Sequence, residues 1–396
     1  MVRETKKLPA GEVPAVPPAA VSPAGPGAVS AAAAGRMQRP PSEVLYAAEL
    51  ARLQAEDDQS RAPRPPGWRL SMNAVRRFIL GDEVLALRPK FVGHPSLVDR
   101  AMVTLATNRG LMLIGEPGTA KSLLSELLAA AICGTSTLTI QGGASLTEDQ
   151  IKYSWNYALL VAEGPTPRAL VPAPLYRGMR LGLVVRFEEI TRCPIEVQDA
   201  LLSMLSDRVL AVPELTGDEG MLYAAEGFNI IATANTRDKG VNEMSAALKR
   251  RFNFETVFPI GDFQTELRLV QRESARLLED SGVPARPSID LLEVLVTAFR
   301  ELRRGETEDG HAMESLNAAI STAEAVAVAH AIGVRGWFLR GGEATAGDIV
   351  EQLAGTAAKD NKEDLKRLRA YLEQRVSKRA GPHWKALYDA RHLLAG

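Results

Sequence analysis

The run Gly115-Glu116-Pro117-Gly118-Thr119-Ala120-Lys121-Ser122 restricts what this chain can become more than any other feature. It follows the apolar stretch Leu111-Met112-Leu113-Ile114 and leads through Leu123 into a leucine- and alanine-rich segment that reads as helix. Strand, glycine-bearing loop and helix form the setting that a phosphate-binding loop requires. Backbone N–H groups of such a loop converge on phosphate oxygens, and the helix N-terminus adds positive potential. Lys121 would reach the β- and γ-phosphates, and the Ser122 hydroxyl would hold Mg²⁺. Ala120 departs from the usual pattern, standing where glycine normally precedes the lysine. The alternative is an ordinary strand-to-helix turn, which the Lys-Ser ending and its context disfavour.

A chain of 396 residues is long enough for two or three domains at the usual ~100–200 residues each. Hydrophobic content of 46% and charged content of 24% describe a soluble globular protein. The formal net charge of −1 gives no global field that favours nucleic acid or anionic lipid. Cys133 and Cys193 read as small buried apolar residues rather than as metal or redox groups. No apolar run is long enough to span a membrane, and the N-terminal Arg3, Lys6 and Lys7 precede no apolar signal core. The expected location is the cytoplasm.

Residues 1–41 are dominated by Pro, Ala, Gly and Val and are expected to be disordered. Residues 42–87 read as a helical segment, with Ser42 as N-cap of a helix to about Glu56 and a second helix over Met72–Leu80. Residues 88–262 alternate strands with helices. The expected strands are Leu111–Ile114, Thr137–Ile140, Gly182–Phe187, Asn229–Ala234 and Phe254–Phe258, short and apolar as in a parallel sheet covered on both faces. Residues 263–356 show helical periodicity throughout. Residues 357–396 form a Lys- and Arg-rich extension that reads as a solvated helix face rather than a nucleic-acid arm. The fold class is therefore α/β, a parallel sheet between helices, followed by an all-helical lid.

Hydrolysis needs a second element across the sheet. Leu183-Val184-Val185-Arg186-Phe187 delivers Glu188 and Glu189 at its C-terminal edge, where ligands sit in open α/β sheets. Side-chain alternation would point the two acids in different directions. One could then hold Mg²⁺ through its water while the other reaches the attacking water. The bland alternative is a helix N-terminus complementing its dipole. Asn229–Ala234 ends in Asn235, an amide able to bond the γ-phosphate or orient water, or else a turn-forming residue. Arg250 and Arg251 close a helix, where the dipole favours them whatever the function; one could instead neutralise γ-phosphate charge in a neighbouring subunit.

In this order and spacing these elements resemble an AAA+ ATPase, and the finer text is similar to the MoxR family. That family's phosphate loop also admits Ala before the lysine, as at Ala120. Pro172-Ala173-Pro174-Leu175-Tyr176-Arg177-Gly178, leading into Glu188-Glu189-Ile190-Thr191-Arg192-Cys193-Pro194, resembles the family's "PGP-(L/V)-F … DEINRAPP" stretch. Gln198-Asp199-Ala200-Leu201-Leu202 is similar to "QNALL", and Val92-Gly93-His94 to the "VGQ" on the adenine side. The resemblance runs from about Arg88 to Leu353. It implies a five-stranded parallel core, a helical lid, hairpin insertions within Gln141–Ala169, and a homo-oligomeric hexameric ring with ATP between subunits. It also implies ATP and Mg²⁺ as cofactors, with the loop residues, Leu123, Val92 and Gly93 around the nucleotide. Ser122 and Glu188 then serve the metal, Glu189 polarises water, Asn235 senses the γ-phosphate, and Arg251 is the trans-acting finger with Arg250 as fallback.

Two positions depart from that family. Glu188 stands for the usual Asp, and its extra methylene is expected to push the carboxylate outward. Ser321-Thr322-Ala323-Glu324 aligns with "S-P-R-A", leaving Ala323 where a sensing arginine is expected, with Arg335 and Arg340 as unranked substitutes. Slow hydrolysis is the expectation. The resemblance implies an ATP-driven remodelling chaperone that acts with a von Willebrand factor A domain protein on a client the sequence does not identify. The rivals are a nucleotide-switched assembly module and a DNA-associated motor. Near-neutral charge and the lack of a recognisable DNA-reading motif disfavour the motor.

Overall fold

The computed structural model describes residues 37–236, 242–317 and 320–394. The expectation of disorder over residues 1–41 lies outside the described residues except for its last few positions. Nine strands are described: β1 (Gly110–Gly115), β2 (Thr139–Gln141), β3 (Tyr153–Trp155), β4 (Leu170–Pro172), β5 (Val184–Glu188), β6 (Val209–Ala211), β7 (Met221–Tyr223), β8 (Asn229–Asn235) and β9 (Phe252–Thr256). Five of them form one sheet in the order β2-β5-β8-β1-β9, with every neighbouring pair parallel. Leu111, Met112, Leu113, Val185, Phe187, Ile230 and Ile231 are sealed from solvent, as strands covered by helices on both faces must be. The last strand begins two residues earlier than the apolar run from Phe254 implied, because it pairs with β1 from Gly110↔Phe252 onward.

Two antiparallel hairpins, β3/β4 and β6/β7, stand apart from the main sheet. The first lies within the insertion expected after Gln141, apart from its last residues, and carries the helix Tyr157–Glu163, none of whose residues is buried. The helix expected over Ile195–Leu205 is two short ones, Ile195–Asp199 and Leu202–Ser206.

The N-terminal helices pack onto the helix that follows the phosphate loop, Lys121–Cys133. Ser42 does not act as an N-cap. It is the first residue of the helix Ser42–Leu45, and its N–H and hydroxyl both donate to Glu126, at 3.0 and 2.8 Å. Glu43 returns the pairing by accepting from the Ser136 N–H and hydroxyl. Lys90 adds a third tie, an ammonium that bonds Glu49 and lies over the Tyr46 and Phe78 rings.

A second apolar core runs from Leu267 to Leu394. Its helices start on side-chain caps: Asp262 for Phe263–Asp280, Ser288 for Ile289–Arg304, and the Ser321/Glu324 capping box for Thr322–Arg340. The basic helix Lys362–Gln374 is amphipathic rather than wholly solvated. It contributes Leu368, Tyr371 and Leu372 to this core and turns its lysines and arginines outward or into ion pairs.

Candidate functional site

Because the five strands are parallel, β1, β5 and β8 end at one edge of the sheet. Gly115, the last residue of β1, pairs in register with Asn235, the last of β8. On the other side of β8, Phe187 pairs with Ala232, which brings Glu188 level with Thr233. The phosphate loop, the acid pair and Asn235 therefore meet at one edge. The helix Pro95–Leu105 runs against the strands, since its C-terminal carbonyls accept from Asn229 at the start of β8. Its length, about 16 Å at 1.5 Å per residue, carries Val92 and Gly93 to that same edge.

Glycine is demanded at two points of the loop. A Cβ on Gly115 would lie 2.3 Å from the Val257 carbonyl oxygen, and one on Gly118, at φ +75°, 2.1 Å from the Ser321 side chain. Ala120 adopts φ 66°, ψ 26°, the left-handed region, which explains why glycine is common at this position and what alanine costs, ~1–2 kcal/mol. Thr119 donates to the Glu116 carbonyl at 2.9 Å and tightens the turn. The Lys121 ammonium is buried and donates to the carbonyls of Gly115 and Glu116, at 3.0 and 2.7 Å, within reach of whatever the loop encloses. Pro117 and Leu123 are partly buried, and Leu123 packs against the core.

Glu188 is not pushed outward. It is 5% exposed, and its carboxylate is drawn back into a polar knot. Oε2 accepts from the Ser122 hydroxyl at 2.7 Å and the Thr233 hydroxyl at 2.8 Å; Oε1 accepts from Ser125 at 2.7 Å and the Arg186 guanidinium at 2.9 Å. Burial alone would raise this carboxyl, but the Ser122 hydroxyl and the Arg186 charge outweigh burial and hold it below its ordinary value. Ser122 is exposed and gives its proton to Glu188, which leaves the hydroxyl lone pairs open. A hydroxyl backed by an ionised carboxylate is a hard oxygen set suited to Mg²⁺.

Glu189 diverges from Glu188, but not by strand alternation. The strand ends at Glu188, and Glu189 takes φ 54°, ψ 44°, a left-handed turn. Its N–H donates to Thr233 at 2.9 Å, so a single hydroxyl touches both acids. Its carboxylate pairs with Arg192 at 3.1 Å and accepts from the Gln141 amide at 3.3 Å. Gln141 ends β2 beside Glu188, in register.

Arg250 and Arg251 are both exposed. Arg251 donates through Nε to the Ser206 hydroxyl of its own chain, whereas the Arg250 side chain has no partner among the described residues. On the lid, the residue against the loop is Ser321, whose side chain fills the space beside Gly118. Neither suggested substitute for the arginine absent at Ala323 stands spare. Arg335 pairs with Asp348 and Glu351, and Arg340 with Asp348. Sequence reasoning missed Ser125, Arg186, Thr233, Gln141 and Ser321. Only Arg186 left a signal, a lone charge inside an apolar strand and two residues before Glu188 on the same face.

Among known families, residues 110–252 match the AAA domain of the dynein-related subfamily, and residues 264–395 match the YehL-like AAA+ ATPase C-terminal domain. The protein YehL of Escherichia coli (strain K12) is 64% identical over 358 residues, covering 90% of this chain and 98% of its own. SH1500 of Staphylococcus haemolyticus is 27% identical over 187 residues, or 47% of this chain and 68% of its own. Among solved structures, NtrX from Brucella abortus superposes with a TM-score of 0.45 at 14% identity, covering 77% of this chain and 69% of its own.

Proposed function

The chain belongs to the YehL-like AAA+ ATPases, and we propose that it binds ATP with Mg²⁺ at this sheet edge and hydrolyses it. The observation that carries the reading is the convergence of Lys121, Ser122, Glu188, Glu189 and Asn235 at the ends of three adjacent parallel strands. The loop N–H groups and Lys121 would bind the phosphates, exchanging the bonds Lys121 now makes to loop carbonyls for bonds to phosphate oxygen. Ser122 and, behind it, Glu188 would hold Mg²⁺, which when bound neutralises charge on the β- and γ-phosphates. Glu189 would accept the proton of the attacking water, and Asn235 would hydrogen-bond the γ-phosphate or that water. Val92 and Gly93 would border the adenine.

The finer reading is a MoxR-type machine that assembles as a ring, remodels a partner complex and works with a von Willebrand factor A domain protein in the cytoplasm. It is supported by the motif text and by the exposed insertion helix Tyr157–Glu163, which leaves Tyr157 and Val161 facing solvent. No helix among the described residues is long and apolar enough to cross a membrane. The ring reading needs an arginine that acts in trans, and Arg250, which has no side-chain partner among the described residues, would be freer to leave its own subunit than Arg251, which bonds Ser206.

A second reading has an observation of its own. The grip of Arg192 and Gln141 on Glu189 would hold the base away from water, as a nucleotide switch with little turnover would require. Light scattering with ATP and Mg²⁺ and phosphate release test both readings. The ATPase reading expects assembly together with release that disappears in Lys121→Ala. Assembly without release would leave the switch, and neither assembly nor nucleotide binding would reject both. Pull-down with ATP-trapped Glu189→Gln protein should retain a von Willebrand factor A domain protein, and its absence there would remove the partner from the account.

A further inference from the structure

We infer that Arg186 is a positioning residue for the metal-binding half of the site, setting Glu188 so that its longer side chain meets Ser122 where an aspartate would. The inference rests on the ATP and Mg²⁺ reading above.

Arg186 lies in the middle of β5, flanked by the sealed Val185 and Phe187 and itself 8% exposed. Parallel strands covered on both faces are apolar, and a buried ion pair is on its own weak evidence for stability. A guanidinium here therefore needs a purpose beyond holding the sheet together. Most of its contacts point one way, the exception being Nη1, which turns toward β2 and also reaches the Thr139 hydroxyl at 3.4 Å. Nε donates to the Ser125 hydroxyl at 2.9 Å, Nη1 to the Ser136 carbonyl at 3.1 Å, and Nη2 to the Ser122 carbonyl at 3.0 Å and Glu188 Oε1 at 2.9 Å. Two of these partners lie in the first two turns of the helix that carries Lys121, and the last is the acid that backs Ser122.

The two carboxylate oxygens of Glu188 thus have separate duties. Oε1 is fixed sideways by Arg186 and Ser125. Oε2 is left facing Ser122 and Thr233. Glutamate carries one more methylene than aspartate, and without the sideways hold that length would let the carboxylate swing past Ser122. The rigid fork of arginine bonds the carboxylate and the helix carbonyl from one nitrogen while another nitrogen reaches Ser125; a lysine ammonium lacks that planar spread. Groups that orient metal ligands without touching the metal typically change its affinity by ~10–100-fold.

The test is a titration of MgCl₂ into the full chain saturated with mant-ATP, against a baseline of mant-ATP affinity in EDTA. For Arg186→Lys the inference expects EDTA affinity within about twofold of wild type and an Mg²⁺ half-saturation raised about tenfold. For Arg186→Leu combined with Glu188→Asp, a short acid that needs no brace, it expects half-saturation within about threefold of wild type. If Arg186→Leu alone does not fold but the double variant does, that rescue counts in favour. An unchanged Mg²⁺ response in Arg186→Lys, or a double variant that is unfolded or as weak as Arg186→Lys, would overturn the inference. Failure of the underlying reading looks different: wild type itself would then show no mant-ATP binding or no response to Mg²⁺.

Discussion

Two buried glutamates, one in each core, make opposite use of the same chemistry. In the α/β core, Glu188 meets a single guanidinium and three hydroxyls. In the helical region, Glu266 is 1% exposed and is gripped by two guanidiniums, Arg300 at 2.7 Å and Arg303 at 3.0 Å, with the Thr322 hydroxyl at 2.7 Å. Arg300 also donates to the Gly261 carbonyl at 2.8 Å, in the segment joining the two cores, and Thr322 follows the Ser321 that abuts Gly118. Hydroxyls keep lone pairs to offer a ligand, whereas guanidiniums only donate. Ser122 is exposed, so the Glu188 knot is open to a cation on that side, whereas the Glu266 knot is dominated by its two guanidiniums and braces the lid on its linker.

The largest expected effect lies at the Glu266 knot. Glu266→Gln should lower stability by about 3–5 kcal/mol in denaturant unfolding, because it leaves two guanidiniums under-compensated. Its Mg²⁺ half-saturation should stay within about twofold of wild type; a large shift there would erase the distinction between the two knots. On the open side, Lys121→Ala should weaken mant-ATP binding on the order of 100-fold, the loss of charge-assisted bonds to phosphate, with little change in unfolding midpoint. A third variant, Glu188→Gln, sharpens the comparison through pH. A carboxyl held below its ordinary value stabilises the fold above the unfolded value, about 4.5, and that stabilisation is lost as pH falls through the folded value. Thermal melts of Glu188→Gln should therefore fall less steeply on the acid side than those of wild type, and equal slopes would place the acid sensitivity elsewhere. The smallest effect is at Ala120→Gly. Release of the left-handed alanine, offset by the entropy of glycine, should raise stability by about 1 kcal/mol or less, with nucleotide affinity unchanged.

The part of this architecture legible in the sequence was the part written in apolar runs. The central strands β1, β5 and β8 stood out because nearly all their residues are buried, and the loop stood out because its glycines answer to close contacts with Val257 and Ser321. Strands β3, β4, β6 and β7 have three residues each, too few for alternation to show; the β3/β4 hairpin was legible only as the insertion that the family resemblance implied, and β6/β7, outside that insertion, was not legible at all. The turn of Glu189 was illegible because strand alternation holds only while the strand lasts, and β5 stops one residue short of it. Arg186 was visible as a charge inside an apolar run, but its meaning depends on Ser122 and Ser125, more than sixty residues away in the chain. The direction of Glu188 was misjudged for the same reason: side-chain length alone points outward, and only the tertiary partners pull it back.

Among these residues, Glu189 is the one on which the ATPase account turns. Steady-state phosphate release should be compared between wild type and Glu189→Gln, with mant-ATP affinity measured alongside in Mg²⁺. The account predicts affinity within about threefold and release lowered ~100-fold or more, as expected when the group that takes a proton from water is removed. Equal release rates from the two proteins would contradict it.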